Sequence, residues 1–159
     1  MKTLIIYATK HDATATLANH ISNQIEFSVV HDLKQSTTPS IDDYDCIIVG
    51  SPVYAGAIHK GVKAFIEQNS KALCEKKLGL FLSGMDASGE EKYFDDNFST
   101  DILQAATAKS VLGGIFDPQK AGFFERLIMK IATKQSGYTS TIDEDKIKLF
   151  AECINSKSV

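Results

Sequence analysis

The sequence of 159 residues contains no tryptophan and only three prolines and three cysteines. Cys46, Cys74 and Cys153 are an odd number without a Cys-x-x-Cys spacing or a neighbouring histidine pair, which argues against a disulfide framework and against a zinc site. No apolar run approaches the roughly 18 residues of a membrane span, and no secretory cleavage site follows the first residues. We therefore expect a cytoplasmic protein.

A strong charge of either sign is also lacking. The 17 basic and 20 acidic side chains give a net charge of −3 at pH 7, so the chain has no overall basic surface for nucleic acid. Internal repeats, low-complexity tracts and linkers rich in Pro, Gly or Ser are absent as well. We expect one domain over residues 1–159, large enough to bury its own core.

Short apolar segments, several rich in β-branched residues, predict five strands, at 3–8, 27–30, 45–50, 77–82 and 110–115. Because most of these segments are continuously apolar, they favour a parallel sheet that is covered on both faces by helical crossovers. Apolar residues at helical spacing predict such helices at 13–25, 60–69 and 143–154, with Asp12 and Thr141 as N-caps of the first and last. The alternation predicts a three-layer, doubly wound α/β fold.

Ligands of doubly wound folds bind beyond the carboxyl ends of the strands, and the loop after the first strand is rich in hydroxyl groups there. It leads directly into a predicted helix, whose backbone N–H groups and positive dipole end favour an anion. Either this loop holds a phosphate or its polar residues only cap the helix. The candidate positions are Thr9, Lys10, His11, Asp12, Ala13 and Thr14.

Two more loops should lie at the same edge of the sheet. The loop after the third strand carries an aromatic residue near its tip, which covers a flat ring or packs as an ordinary surface turn. The loop after the fourth strand has small residues that let the backbone approach a planar ligand. The candidate positions in the two loops are Ser51, Pro52, Val53, Tyr54, Ala55, Gly56, Ser83, Gly84 and Met85.

These residues carry a family resemblance. The segment 5–14 resembles the flavodoxin signature for FMN, aromatic-x-Ser/Thr-x-x-small-x-Thr, with Asp12 at the position where the family has Gly, Ala or Cys. The segment 50–56 resembles the flavin-stacking loop of the same family. The resemblance implies a flavodoxin-like fold with a five-stranded parallel sheet in the order 2-1-3-4-5. It also implies FMN as cofactor, held by the three loops, with Tyr54 on the outer face of the ring.

The last third of the chain is similar to one branch of that family. Segments 111–117 and 123–130 resemble the insert of the menaquinone-dependent protoporphyrinogen oxidases, which oxidise protoporphyrinogen and pass electrons to quinones. The resemblance implies an FMN-dependent oxidoreductase with a quinone or a redox protein as partner. The alternative is a soluble flavodoxin that acts as a low-potential electron carrier. The weak net charge and the absence of tryptophan favour the enzyme.

The insert, around 116–141, contains a predicted helix at 122–134. Phe123, Leu127, Ile128 and Ile131 form an apolar stripe, and basic residues recur every fourth position beside it, at 126, 130 and 134. Such a helix either contacts an anionic membrane surface at the inner face of the membrane or packs its apolar face on the sheet. No side chain of the chain is predicted to act as a catalytic acid or base.

Overall fold

The computed structural model describes residues 1–35, 37–134 and 136–156. Its elements, in chain order, are β1 (Thr3–Tyr7), α1 (Ala13–Ser22), β2 (Ser28–Asp32), a 3₁₀ turn (Ile41–Asp43), β3 (Cys46–Tyr54), β4 (Ala57–Ile58), α2 (Lys60–Cys74), β5 (Lys77–Ser83), α3 (Glu90–Asn97), α4 (Thr100–Ala105), β6 (Ala106–Val111), β7 (Ile115–Phe116), α5 (Phe123–Thr133), β8 (Thr139–Ser140) and α6 (Glu144–Asn155).

Five of the strands form a parallel sheet in the order β2-β1-β3-β5-β6. The short β4 adds to the end of β3 as an antiparallel partner, so the order of the five parallel strands is 2-1-3-4-5 when β4 is left out. The flavodoxin-like, doubly wound α/β fold expected from the sequence is therefore confirmed. In this architecture the carboxyl ends of β1, β3 and β5 meet at one edge.

Both faces of the sheet are buried, which explains why its central strands are continuously apolar. Along β1, Leu4 and Ile6 belong to the core on the face of α2, whereas Ile5 belongs to the core on the face of α1 and α6. All three side chains are fully buried. Since successive strand residues point to opposite faces, a strand between two helical layers needs apolar residues at every position.

The fifth parallel strand lies earlier in the chain than predicted. We expected it at 110–115, but β6 runs from Ala106 to Val111 and is an edge strand whose side chains alternate in exposure. A search for continuously apolar segments misses such a strand. The chain turns instead at Gly113, which has a positive φ of 99°, and a Cβ there would stand 2.0 Å from the carbonyl oxygen of Thr141.

Helix ends and caps also differ from the sequence-based expectations. α1 ends at Ser22 and not at 25, and α2 continues to Cys74, beyond the predicted end at 69. Asp143 caps α6, since its carboxylate accepts the backbone N–H of Lys146 at 3.0 Å. The expected cap, Thr141, is therefore wrong. Its hydroxyl accepts the backbone N–H of Gly114 at 3.0 Å and ties the loop after β6 to the chain before α6.

Residues 116–141, here called the insert, leave the sheet after β6 and return before α6. β7 and β8 pair as antiparallel strands at its base, and α5 lies between them. The predicted helix at 122–134 is thus present as Phe123–Thr133. Over residues 123–131 none of its side chains is buried. Within the described part of the chain, no helix combines the length and the apolar character that crossing a bilayer requires.

Candidate ligand-binding cleft

A cleft of about 360 Å³ opens where β1, β3 and β5 end. Its volume lies within the range of small-molecule sites in proteins, about 300–1,000 Å³. The loops after the three strands form one wall, here called the sheet wall, and residues of the insert form the other, here called the insert wall. The predicted positions that line the cleft are Thr9, Lys10, His11, Ala13, Thr14, Pro52, Val53, Tyr54, Ala55, Gly56, Ser83, Gly84 and Met85.

Two predicted positions do not line the cleft, and Ser51 is the first. Its hydroxyl is buried, donates to the carbonyl of Pro52 at 2.9 Å and accepts the backbone N–H of His59 at 2.9 Å. His59 in turn accepts the N–H of Gly61 through Nδ1 and caps α2. Ser51 and His59 therefore hold the chain between β3 and α2 and do not face a ligand.

Asp12 is the second position outside the cleft. It stands directly before α1, but its backbone is left-handed, with a φ of 42°, and its side chain makes no capping hydrogen bond. The expected side-chain cap is therefore wrong. The carboxylate instead forms an ion pair with Lys120 of the insert, and the hydrogen bond and the charge of that lysine lower the pKa of Asp12. Two-thirds of the Asp12 side chain is exposed, so the pair lies at the surface.

A buried pair of hydroxyl groups joins two loops of the sheet wall. The hydroxyl oxygens of Thr14 and Ser83 are 2.8 Å apart, and the two residues are 0% and 4% exposed. One hydroxyl proton is used between them, so the other remains free to be donated to a third group. The first turn of α1, which begins one residue before Thr14, also presents backbone N–H groups that lack intrahelical acceptors.

Tyr54 is the last residue of β3 and stands before a tight turn in which Ala55 and Gly56 have positive φ angles of 49° and 80°. The Lys10 ammonium lies 4.5 Å from the centroid of the Tyr54 ring. Burial, together with a hydrogen bond to the Glu125 carboxylate, raises the pKa of the Tyr54 hydroxyl to about 12. The ring is nonetheless 47% exposed, so it is available for contact.

Glu125, in the first turn of α5, connects the insert to the sheet wall. Its carboxylate pairs with Lys10, lies 3.0 Å and 3.2 Å from Nε2 of His11, and accepts the backbone N–H of Gly122 at 2.9 Å. Burial alone would raise the pKa of Glu125, but hydrogen bonds from Lys10, Tyr54, Gly122 and His11 outweigh it and hold that pKa well below its ordinary value. The side chain is 12% exposed.

Sequence reasoning missed Glu125 and the other residues of the insert wall. The Gly113-Gly114 pair was a usable signal, because it marks the carboxyl end of the fifth parallel strand, but Glu125 lies 115 residues from Lys10 and has no local pattern. The backbone of Asp86 belongs to the loop predicted after β5, and the cleft residues not predicted are Tyr93, Gly114, Ile115, Phe116, Asp117, Ala121, Glu125, Ile128 and Met129.

The floor of the cleft is an open slot at Gly84. A Cβ at this position would have no atom within 4 Å, whereas a Cβ at Gly114 would stand 2.9 Å from the Gly84 backbone. The two glycines therefore allow close approach of two loops and leave space beside them. With hydroxyl groups and a helix N-terminus after β1, and with Lys10 lying beside the Tyr54 ring at the end of β3, the cleft suits a flat ligand with an anionic tail.

The comparisons with known proteins point to one fold family. The family model described as "flavodoxin domain" matches residues 4–143. The protoporphyrinogen IX dehydrogenase (quinone) of Escherichia coli K12 is 19% identical over 150 residues, which cover 86% of this chain and 81% of that protein. A short-chain flavodoxin associated with a non-canonical PDU bacterial microcompartment is similar in structure, with a TM-score of 0.61, 18% identity and 97% coverage of both chains. The oxidised flavodoxin 1 of Bacillus cereus has a TM-score of 0.51 and 23% identity, over 72% of this chain and 82% of that one.

Proposed function

Since the chain belongs to the flavodoxin domain family, we propose that it binds FMN in the cleft and acts as an FMN-dependent oxidoreductase. The observation that carries this proposal is the cleft itself. It lies where β1, β3 and β5 end, it is lined by anion-binding groups after β1 and by the Tyr54 ring at the end of β3, and its floor is open at Gly84. These features fit the phosphate and the flat ring of FMN.

The loop after β1 would hold the phosphate. The N–H groups at the start of α1 and the positive end of its dipole favour an anion without an arginine. The hydroxyl pair of Thr14 and Ser83 is fixed by burial and retains one proton that it can donate, from Thr14 when Ser83 donates within the pair. Lys10 and His11 add positive charge or hydrogen-bond donors beside it.

The loops after β3 and β5 would hold the ring. Tyr54 offers an exposed aromatic face, and the backbone N–H groups of 53–56 and 83–86 would contact the polar edge of the ring. Gly84 and Met85 also line the cleft, and the space beside Gly84 is open. FMN supplies the redox chemistry when bound, while this chain supplies binding, orientation and the local field.

We further propose that the electron acceptor is a quinone and the electron donor a porphyrinogen, as the name of the Escherichia coli relative indicates for that protein. The exposed apolar face of α5 supports this proposal, since Ile128 and Met129 line the cleft while Phe123, Phe124 and Ile131 are about three-quarters exposed. Arg126 and Lys130 lie on the same helix and are exposed. A cytoplasmic protein could use this helix to contact the anionic inner face of a membrane, where quinones are dissolved.

The alternative function is a soluble electron carrier with the same cofactor. Exposed acidic side chains favour it, because Asp86 borders the cleft and Glu91 and Asp95 follow on α3. An acidic surface beside the cofactor would steer a basic redox protein toward it. A carrier would exchange electrons with that protein and would not turn over porphyrinogen or quinone.

Absorbance and fluorescence titration of the purified chain with FMN tests the cofactor. We expect quenched flavin fluorescence and shifted absorbance bands at one equivalent. Tyr54→Ala should weaken FMN binding by roughly ten-fold, because the stacked ring is lost, and Tyr54→Phe should keep most of the affinity. Equal affinities for wild type and Tyr54→Ala would remove Tyr54 from the ring site, and no binding at micromolar FMN would refute the proposal.

A turnover assay separates the enzyme from the carrier. The FMN-loaded chain is mixed with protoporphyrinogen and a menaquinone analogue, with vesicles of anionic or of neutral lipid present. We expect turnover that is faster with anionic vesicles and is reduced in the double variant Phe124→Ser and Ile131→Ser. Leu149→Ser is the matched control, because Leu149 is 60% exposed on α6, outside the insert. FMN binding without turnover would favour the carrier.

A further inference from the structure

The carboxylate of Glu125 lies among the groups that the proposed function assigns to the phosphate of FMN. It is bound by Lys10 and contacts Nε2 of His11 at 3.0 Å, and all three residues line the cleft. A carboxylate and a phosphate are both oxyanions that seek the same donors. A carboxylate and a phosphate would also repel each other if both lay beside Lys10 and His11.

Glu125 is at the same time a polar anchor of α5. Side chains of α5 over residues 123–131 are exposed or half-buried, and the helix presents its apolar face to solvent. The second ion pair between the insert and the loop after β1, Asp12 with Lys120, lies at the surface, where such pairs contribute little. A ligand that removes Glu125 from Lys10 and His11 leaves only the Tyr54 hydroxyl, among the contacts described above, to hold this carboxylate to the sheet wall, and therefore loosens α5.

We propose that Glu125 is a built-in competitor of the ligand's phosphate for Lys10 and His11, so that phosphate binding releases α5 from the sheet wall. This inference rests on the proposed function, because it takes FMN as the ligand of the cleft. Glu125 would then set the preference between FMN and riboflavin, since only FMN carries the competing phosphate. The released helix would present its apolar residues at the mouth of the cleft.

The test compares Glu125→Gln with wild type in titrations with FMN and with riboflavin. Glutamine retains an acceptor for the Gly122 N–H but removes the charge, so the start of α5 keeps its hydrogen bond. We expect Glu125→Gln to bind FMN about ten-fold more tightly, with riboflavin affinity unchanged. Glu144→Gln is the matched control, because this substitution changes the net charge by the same amount. Glu144, on α6, contacts His20 of α1 at 2.7 Å and does not line the cleft. The control should alter neither affinity.

Limited trypsin cleavage after Arg126 and Lys130 reports the position of α5. In the wild type we expect FMN to accelerate this cleavage several-fold and riboflavin to leave it unchanged. In Glu125→Gln, cleavage should already be fast without a flavin. Weaker or unchanged FMN binding by Glu125→Gln would mean that Glu125 positions Lys10 and His11, and would overturn the inference. Protection of α5 by FMN would overturn it as well.

Inorganic phosphate separates failure of the inference from failure of the proposed function. If neither flavin binds, FMN binding is refuted, but millimolar phosphate should still accelerate cleavage in the wild type. The double variant Lys10→Gln and His11→Gln should abolish that response. If phosphate has no effect on cleavage in the wild type, Glu125 does not compete with an anion and the inference fails too.

Discussion

The sheet wall of the cleft is held by buried contacts, whereas α5 of the insert wall has no buried side chain over residues 123–131 and is held to the sheet wall by the polar contacts of Glu125. Thr14 and Ser83 meet at 0% and 4% exposure on the first wall. On the second, Phe123 and Phe124 are about three-quarters exposed, and Lys120 reaches Asp12 across the surface. The same cleft therefore has one wall that is part of the core and one that is buried only at its base, at Phe116 and Ala121, and not along α5.

This difference in burial predicts a difference in stability. Contacts in a packed core open only with global unfolding, whereas segments with few buried apolar contacts open locally at low free energy. The sheet wall is therefore pre-organised for a ligand, and the insert wall can move when a ligand arrives.

Two phenylalanines give the strongest test. Phe81 is fully buried on β5, where its ring occupies the space that a Cβ at Gly50 would fill and packs edge-on against Phe150. Phe81→Ala should lower the free energy of unfolding by about 3–5 kcal/mol. Phe124→Ala, on α5, should change it by less than about 0.5 kcal/mol. Urea unfolding of the two variants measures both values, and a large loss for Phe124→Ala would show that α5 packs as part of the core.

Substitutions in the hydroxyl pair of the sheet wall should lower the free energy of unfolding by an intermediate amount. Thr14→Ala or Ser83→Ala leaves one buried hydroxyl without its partner, which should cost about 1–3 kcal/mol of unfolding free energy. The double variant should cost less than the sum of the two, because no hydroxyl remains unpaired.

The affinities of these variants for FMN should not follow their unfolding free energies. Thr14→Ala and the double variant should both bind FMN roughly ten- to hundred-fold more weakly, since both lack the Thr14 donor. Calorimetric titration of the four proteins measures this. Full recovery of affinity in the double variant would remove Thr14 from the phosphate site.

The core of the fold was predictable because burial on both faces imposes a simple pattern. Leu4, Ile5 and Ile6 are consecutive and all buried, as a short strand between two helical layers requires. The edge strand β6 was misplaced because its side chains alternate in exposure and its sequence, Ala106–Val111, contains a threonine, a lysine and a serine. Its position is set by pairing with β5, and the residue pattern of the strand alone does not contain that information.

The sheet wall was predictable for a related reason. Its residues follow directly after strands, so topology brings them together, and the loop sequences resemble a family signature. Glu125 could not be found in this way, because nothing local connects it to Lys10 or to Tyr54. Nor could the exposure of α5, since an amphipathic pattern is the same whether the apolar face meets the sheet or solvent. The helix presents that face to solvent, contrary to the ordinary packing that we weighed as the alternative.

Acid should weaken the link between the two walls before it unfolds the sheet wall. Glu125 has a folded-state pKa below its ordinary value of 4.5, so its ion pairs stabilise the folded chain fully above that pH and are lost as the pH falls through the folded-state pKa. Because Lys10 is 55% exposed, we expect at most about 1 kcal/mol.

The difference between wild type and Glu125→Gln isolates this contribution, since all other carboxylates are common to both. Urea unfolding between pH 7 and pH 3 should give a difference in unfolding free energy that is constant at neutral pH and shrinks in acid. High salt should reduce it at neutral pH. A difference that grows as the pH falls would have the wrong sign for a lowered pKa and would contradict the assigned ion pairs.

The smallest effect is expected at Asp12, where the two walls meet at the surface. The sequence predicts the Asp12 carboxylate in the phosphate loop, where it would repel the phosphate of FMN. If no cation paired with that carboxylate, Asp12→Gly should tighten FMN binding. In the structure the side chain is 66% exposed, stands outside the cleft and is paired with Lys120. We therefore expect Asp12→Gly to raise the affinity for FMN by less than about three-fold. Lys120→Gln leaves the carboxylate unpaired and should lower that affinity by a similar factor. Titrations at low and at physiological salt measure both. A ten-fold gain from Asp12→Gly would mean that Lys120 does not neutralise the carboxylate, and that the phosphate site extends to the junction of the two walls.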